Sequence, residues 1–301
     1  MVPDSLTQWF DLPVENWKPK ETPDYKNKIY RLAMNWDDEV RLASQITDFL
    51  AGDGVSETIG LSLGINDHEA SEFYAAATSL IAAKDKLPRL RGLFLGEMEQ
   101  EESEISWIGN GDFSPFLEAF PALEDLRVRG GEIGCTATRH ICLKKLVLES
   151  GGLPKEALPG ILGSVFPELE HLEIWAGTDE YGWSGSADDL KPFLYENPFP
   201  KLKYLGLKNC NDQTEIAKLA AEAPVLDQLE TLDLSLGTLR DEGGEALLAS
   251  EKVKHLKLLD LHHHFMSDAM AKRFEDSGLE VDVSEQEEAY DGDYYYVSVG
   301  E

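Results

Sequence analysis

A chain of 301 residues with 42% hydrophobic content carries enough apolar material for a folded core, and no run in it approaches the roughly 18 apolar residues of a membrane span. Its net charge of −30, from 57 acidic against 27 basic residues, opposes long-range attraction to nucleic acid or anionic membrane and favours solubility or a basic partner. Three cysteines, Cys135, Cys142 and Cys210, and a start without a basic region or apolar stretch argue against a secreted disulfide framework and point to a reducing cytoplasm.

In chain order, residues 1–26 hold Trp9, Phe10, Leu12, Val14 and Trp17 among four prolines. That is too aromatic for free disorder, so the segment is predicted to lie as an irregular cover over the first strand. Ile29–Met34 reads as that strand. Asp37 can cap a helix over 38–50, where Val40, Ala43, Ile46 and Phe49 share a face, and Gly52-Asp53-Gly54 ends it. A strand over 59–63 and a helix from Asp67 to Ala83 complete an atypical cap over 1–86. A stack of repeats needs such a cap for its first apolar edge.

From Leu90 a frame L-x-x-L-x-L recurs. Its copies are Leu90, Leu93, Leu95; Leu123, Leu126, Val128; Leu143, Leu146, Leu148; Leu169, Leu172, Ile174; Leu202, Leu205, Leu207; Leu229, Leu232, Leu234; and Leu256, Leu259, Leu261. First leucines are 33, 20, 26, 33, 27 and 27 residues apart, and weaker copies stand at Leu61, Leu63 and at Leu279, Val281, Val283. The last two apolar residues of each copy are two apart, so in a strand they share one face and the residues between them point the other way. Pro88, Pro121, Pro167 and Pro200 each precede a first leucine by two, where proline stops a helix and favours extended entry. Helix formers follow the strand frame, as in Arg240–Ala249. One strand and one short helix cannot bury such a face alone, so the unit must stack. Residues 87–283 are therefore predicted to form an α/β solenoid, a curved parallel sheet on the concave side and helices on the convex side. The copy from Leu123, only 20 residues long, has room for a strand and turn but hardly a helix.

Residues 284–301 form the other cap. From Glu280 onward there are eight acidic residues and no basic one. Asp291-Gly292 is a turn signal and Tyr294–Val299 is rich in strand formers, so this run is predicted to pair with the last sheet edge; a disordered acidic tail is the alternative.

These residues resemble the leucine-rich-repeat superfamily. Gly237–Ala249 is similar to the ribonuclease-inhibitor type, in which strands alternate with helices, and Cys210 occupies the Asn/Cys position after a strand. That position is Met98, Gly131, Gly151, Gly177, Gly237 or His264 elsewhere. The Trp-rich start and the Tyr294–Val299 end make the whole chain look most similar to stand-alone bacterial repeat proteins. The resemblance implies a cytoplasmic binding module and no established activity.

The outward strand residues form three predicted columns. The first reads Gly92, Asp125, Lys145, His171, Tyr204, Thr231 and Leu258. The second reads Phe94, Arg127, Val147, Glu173, Gly206, Asp233 and Asp260. The third reads Gly96, Arg129, Glu149, Trp175, Lys208, Ser235 and His262. Four cations against five anions make this face nearly neutral in a strongly acidic chain. Phe94, Trp175 and Tyr204 are large aromatics expected to face solvent, and aromatics beside arginine make binding hot spots; packing against flanking loops is the competing expectation. Two long loops, 97–111 with Trp107 and 176–185 with Trp183, should project along one rim at the carboxyl ends of the strands.

Chemistry is otherwise sparse. G-x-S-x-G, H-E-x-x-H, Walker loops and C-x-x-C are all missing from the sequence. Consecutive histidines in extended chain alternate direction, so His262-His263-His264 is not expected to converge on a metal. The reading is a monomeric, non-catalytic protein-interaction module without cofactor or metal, binding neither nucleic acid nor membrane. Its expected partner-binding residues are Phe94, Trp107, Arg127, Arg129, Lys145, Glu173, Trp175, Trp183, Tyr204 and Lys208. The alternative is an accessory subunit or small-ligand-binding protein associated with an enzyme.

Overall fold

The computed structural model describes residues 5–34, 38–65, 73–98, 102–196 and 198–300. Asp37 and Asp67, the predicted helix openers, lie outside them. The chain runs β1 (Gln8–Trp9), β2 (Leu12–Asn16), β3 (Ile29–Met34), α1 (Leu42–Phe49), β4 (Gly60–Ile65), α2 (Phe73–Ala77), α3 (Ser79–Ala82) and β5 (Gly92–Leu95). It continues with α4 (Ser114–Ala119), β6 (Asp125–Arg129), β7 (Lys145–Glu149), α5 (Ala157–Leu162), β8 (His171–Gly177), α6 (Ala187–Tyr195) and β9 (Tyr204–Cys210). Then come α7 (Gln213–Ala221), β10 (Thr231–Asp233), α8 (Asp241–Ala249), β11 (Leu258–Asp260), α9 (Asp268–Glu275) and β12 (Val281–Asp282).

All twelve strands lie in one sheet in sequence order. β1 and β2 form an antiparallel hairpin, and every later neighbour pair is parallel. An open, mostly parallel sheet with strands in sequence order is the signature of stacked repeats, each touching its neighbours. Between β6 and β7 no helix occurs, as the 20-residue step requires. Where space allows, helices form from local signals. The Ser186 and Asp189 side chains make a capping box at α6, and the Ser267 hydroxyl accepts from Met270 N–H at α9.

The core lies between sheet and helices. Leu93, Leu126, Leu146, Leu172, Leu205 and Leu232 are all 0% exposed, so the repeat frame is also the packing frame. Registers place these leucines opposite one another strand after strand. The predicted columns stand side by side in the same registers, for example Lys145 beside His171 beside Tyr204, and Trp175 beside Lys208.

Three elements differ from expectation. The N-terminal cover is a hairpin that joins the sheet through β2 rather than an irregular layer. The helix expected to reach Ala83 is two short helices, α2 and α3. Tyr294–Val299 does not pair with the last edge. That edge is β12, and the terminal run instead turns back along the carboxyl ends of the strands, as its hydrogen bonds below show.

Candidate functional site

The candidate site is the sheet face opposite the helices. Two terminal segments partly close it, and both bury residues of outward parity. At the first closure, β1 and the turn after it lay Trp9 and Phe10 over Gly92, where any Cβ would collide with both rings. The Trp9 indole donates to Asp125 at 2.9 Å, and the Arg127 guanidinium lies 5.4 Å over the Trp9 ring. Phe94 is buried with Trp9 and Ile29. Glu97 is wholly buried and accepts from Leu6 N–H at 2.6 Å and from the Ser62 hydroxyl, fastening the segment. Arg129, beside Phe94, is also buried; it pairs with Glu149 and donates to the Met98 carbonyl.

At the second closure the C-terminal segment crosses the carboxyl ends of β11, β10 and β9. His263 Nε2 lies 3.5 Å from the Tyr296 carbonyl, Ser298 N–H donates to Leu236 at 2.9 Å, and Asn209 holds Val299. Val299 packs with Ile105, Trp175 and Leu236. His263, Leu236 and Asn209 all have left-handed backbone, and each lies seven residues past a first leucine. That conformation turns the chain away from each strand and offers the segment its partners. Gly151 abuts Gly300 and Ile105, while Gly152 abuts Tyr181. The two long loops therefore flank one rim, with residues 299–300 between them. A cavity of about 410 Å³ opens there between Thr178, Tyr181, Asn211 and Tyr294–Val297.

Between the closures lies a polar network. Glu173 accepts from the Trp175 indole at 2.6 Å, stands 3.3 Å from His171 and 3.5 Å from Lys208. Lys208 bridges to Asp233 at 2.9 Å, and Asp233 also accepts from the Tyr204 and Ser235 hydroxyls. The His171 and Tyr204 rings stack at 3.8 Å, 6° from parallel. Burial alone would raise the Glu173 carboxyl, but His171, Lys208 and Trp175 outweigh it and hold it far below the usual carboxylate range. Burial likewise lowers His171. Burial, then Glu173 and Asp233, raise the Tyr204 hydroxyl, so it stays a donor. Burial first, then Arg127, holds Lys145 below the ordinary lysine range.

The structure thus gathers Glu173, Trp175, Tyr204 and Lys208 in one network, with Arg127 and Lys145 beside it. It corrects the solvent-facing expectation for Phe94 and Trp175, which are 2% and 1% exposed because the termini cover them. Trp183 belongs to the main core and pins its loop, whereas Trp107 is 63% exposed. The first column stays open from β7 to β11: Lys145, His171, Tyr204 and Thr231 are half-buried and Leu258 is exposed. Asn209 and Glu97 were missed by the column reading, since neither projects from the middle of a strand.

Among solved structures, the chain is similar to a Bacteroides fragilis protein whose crystal structure was a structural-genomics target. The two share 32% identity and superpose with a TM-score of 0.81, over 89% of this chain and 76% of that one. No family model and no curated protein matches the chain.

Proposed function

We propose that this chain, which belongs to the same family as the Bacteroides fragilis protein, is a leucine-rich-repeat protein of the ribonuclease-inhibitor-like type that binds a partner protein. The partner docks on the helix-free face and the carboxyl-side loops. The carrying observation is the open first column: five adjacent strands present Lys145, His171, Tyr204, Thr231 and Leu258 in a row, while Val147, Gly206 and Asp233 of the next column are buried. A lysine, a stacked aromatic pair and an apolar end suit a protein surface, and the exposed Trp107 adds an anchor on the rim.

A non-catalytic role fits the same geometry. The oxygens of Glu173 and Asp233 are engaged by His171, Trp175, Tyr204, Ser235 and Lys208, so neither is a free base. The free thiols of Cys135, Cys142 and Cys210 suit a reducing cytoplasm. Among the described residues no helix is long and apolar enough to cross a membrane. The test uses a partner purified from the native host. Leu258→Glu and Trp107→Ala should each weaken binding at least tenfold, about 1.4 kcal/mol, with unchanged melting. Glu222→Lys, past the end of α7 on the helical side, should bind like the parent. The reverse pattern sinks the proposal. The small-ligand alternative has one supporting feature, the rim cavity with the buried, unpartnered Thr178 hydroxyl in its lining.

A further inference from the structure

Asp233, Asp260 and Asp282 form a row on three adjacent strands, each in parallel register with the next. Strands in a sheet lie about 4.8 Å apart, so successive carboxylates repel unless a cation compensates them. Asp233 is compensated: Lys208 stands 2.9 Å away, and two hydroxyls donate to it. Asp260 and Asp282 are compensated less closely: Asp282 accepts from Ser284 N–H at 2.9 Å, and Lys208 acts on Asp260 only through space. Among the described residues no lysine or arginine pairs with either of them. The imidazole beside Asp260 is His262, whose Nδ1 lies 2.6 Å from Oδ1, while His264 also acts on Asp282.

We propose that Asp260, His262 and Asp282 bind a divalent first-row transition-metal ion. One donor atom from each lies within 4.8 Å of the others, and all three residues are half-buried, which leaves a side open for water. A nitrogen with two carboxylates is a donor set for zinc and its neighbours, whereas calcium and magnesium take oxygen ligands. Three protein ligands plus water complete a four-coordinate zinc site. The ion takes the place of the proton shared between Nδ1 and Oδ1, releasing it if His262 is protonated. The two carboxylates then share its charge.

The strand register builds this set, which is why the histidine run does not reveal it. His262 lies two residues past Asp260 and so shares its face. His263 has left-handed backbone and points to the Tyr296 carbonyl, while His264 Nε2 lies 3.0 Å from the Val283 carbonyl. Only one of the three histidines joins the set, and the third ligand comes from β12, twenty residues further on.

The test is isothermal titration of the full chain with zinc chloride, independent of any protein partner. The expected result is one saturable ion per chain. His262→Ala and Asp282→Asn should each weaken binding at least tenfold, the scale on which even loss of an orienting group acts. Melting of Asp282→Asn without zinc should stay near that of the parent, since asparagine keeps an acceptor for Ser284 N–H. Cys142→Ser should bind like the parent. If His262→Ala fails to fold, Asp282→Asn decides, together with a cobalt absorption spectrum free of thiolate bands. The proposal is overturned by no saturable binding, by binding that survives Asp282→Asn, or by binding that Cys142→Ser abolishes.

Discussion

Asn209→Ala removes the clamp on the C-terminal segment. The Asn209 carboxamide grips one residue at both ends: Nδ2 donates to the Val299 carbonyl at 2.6 Å, and Oδ1 accepts from Val299 N–H at 3.0 Å. Losing both bonds costs about 0.5–1.5 kcal/mol each, and alanine in the left-handed conformation adds about 1–2 kcal/mol. If the segment stayed in place, two buried backbone groups would be unpartnered at about 1–3 kcal/mol each. Undocking avoids that. It gives up the burial of Val297 and Val299, about 1.5–3 kcal/mol each, and regains about 1–2 kcal/mol of backbone entropy per freed residue. Over residues 295–300 the regained entropy, about 6–12 kcal/mol, exceeds the lost burial of about 3–6 kcal/mol, so the segment should detach once its clamp is gone. The lost bonds and the left-handed alanine then cost about 2–5 kcal/mol together. Urea unfolding gives the total, and amide exchange at Ser298 and Val299 reports the detachment. A loss below about 0.5 kcal/mol, with the Val299 amide still protected, refutes the clamp.

Leu232→Ala, at a wholly buried site between Leu205 and Leu259, should cost about 2–5 kcal/mol in the same denaturation assay. Arg129→Glu should cost about 3–5 kcal/mol, because it leaves Glu149 and a second carboxylate buried without a cation; stability rather than binding should respond. Burial lowers the pKa of His140, His171, His263 and His264 from the ordinary histidine value of about 6.5. Unfolding therefore takes up protons below that value, and stability present above it is lost as pH falls towards the folded values; urea midpoints from pH 7 to 5 check this. His262, raised first by its hydrogen bond to Asp260, has the opposite sign, so the stability it adds is lost as pH rises through its folded value. Small-angle scattering should give a radius of gyration above about 19 Å, the expectation for a compact globule of this length.

Much of the fold was legible because the leucine frame fixes two things at once. Leu232 and Leu234 two apart set side-chain parity, and equal offsets in each repeat set the register. Covering segments are not coded that way. Phe94 and Trp175 have outward parity yet are buried, since Trp9 and Val299 come from far along the chain. Two local signals do mark these contacts. Gly92 and Gly151 sit where another segment approaches too closely for a Cβ. Asn209, Leu236 and His263 share one offset, though Leu236 is not a residue type that favours left-handed backbone. The network around Glu173 follows from the columns, because His171 shares its strand, Lys208 stands on the next and Asp233 on the one after. Its burial depends on the closures and was not legible.

Amide hydrogen exchange of the chain with and without its purified partner tests the docking claim most directly. The account predicts added protection in β7–β11 and in residues 102–111 around Trp107, with exchange in α7, α8 and α9 unchanged. Protection confined to those helices, with the strands and the Trp107 loop unaffected, would contradict it.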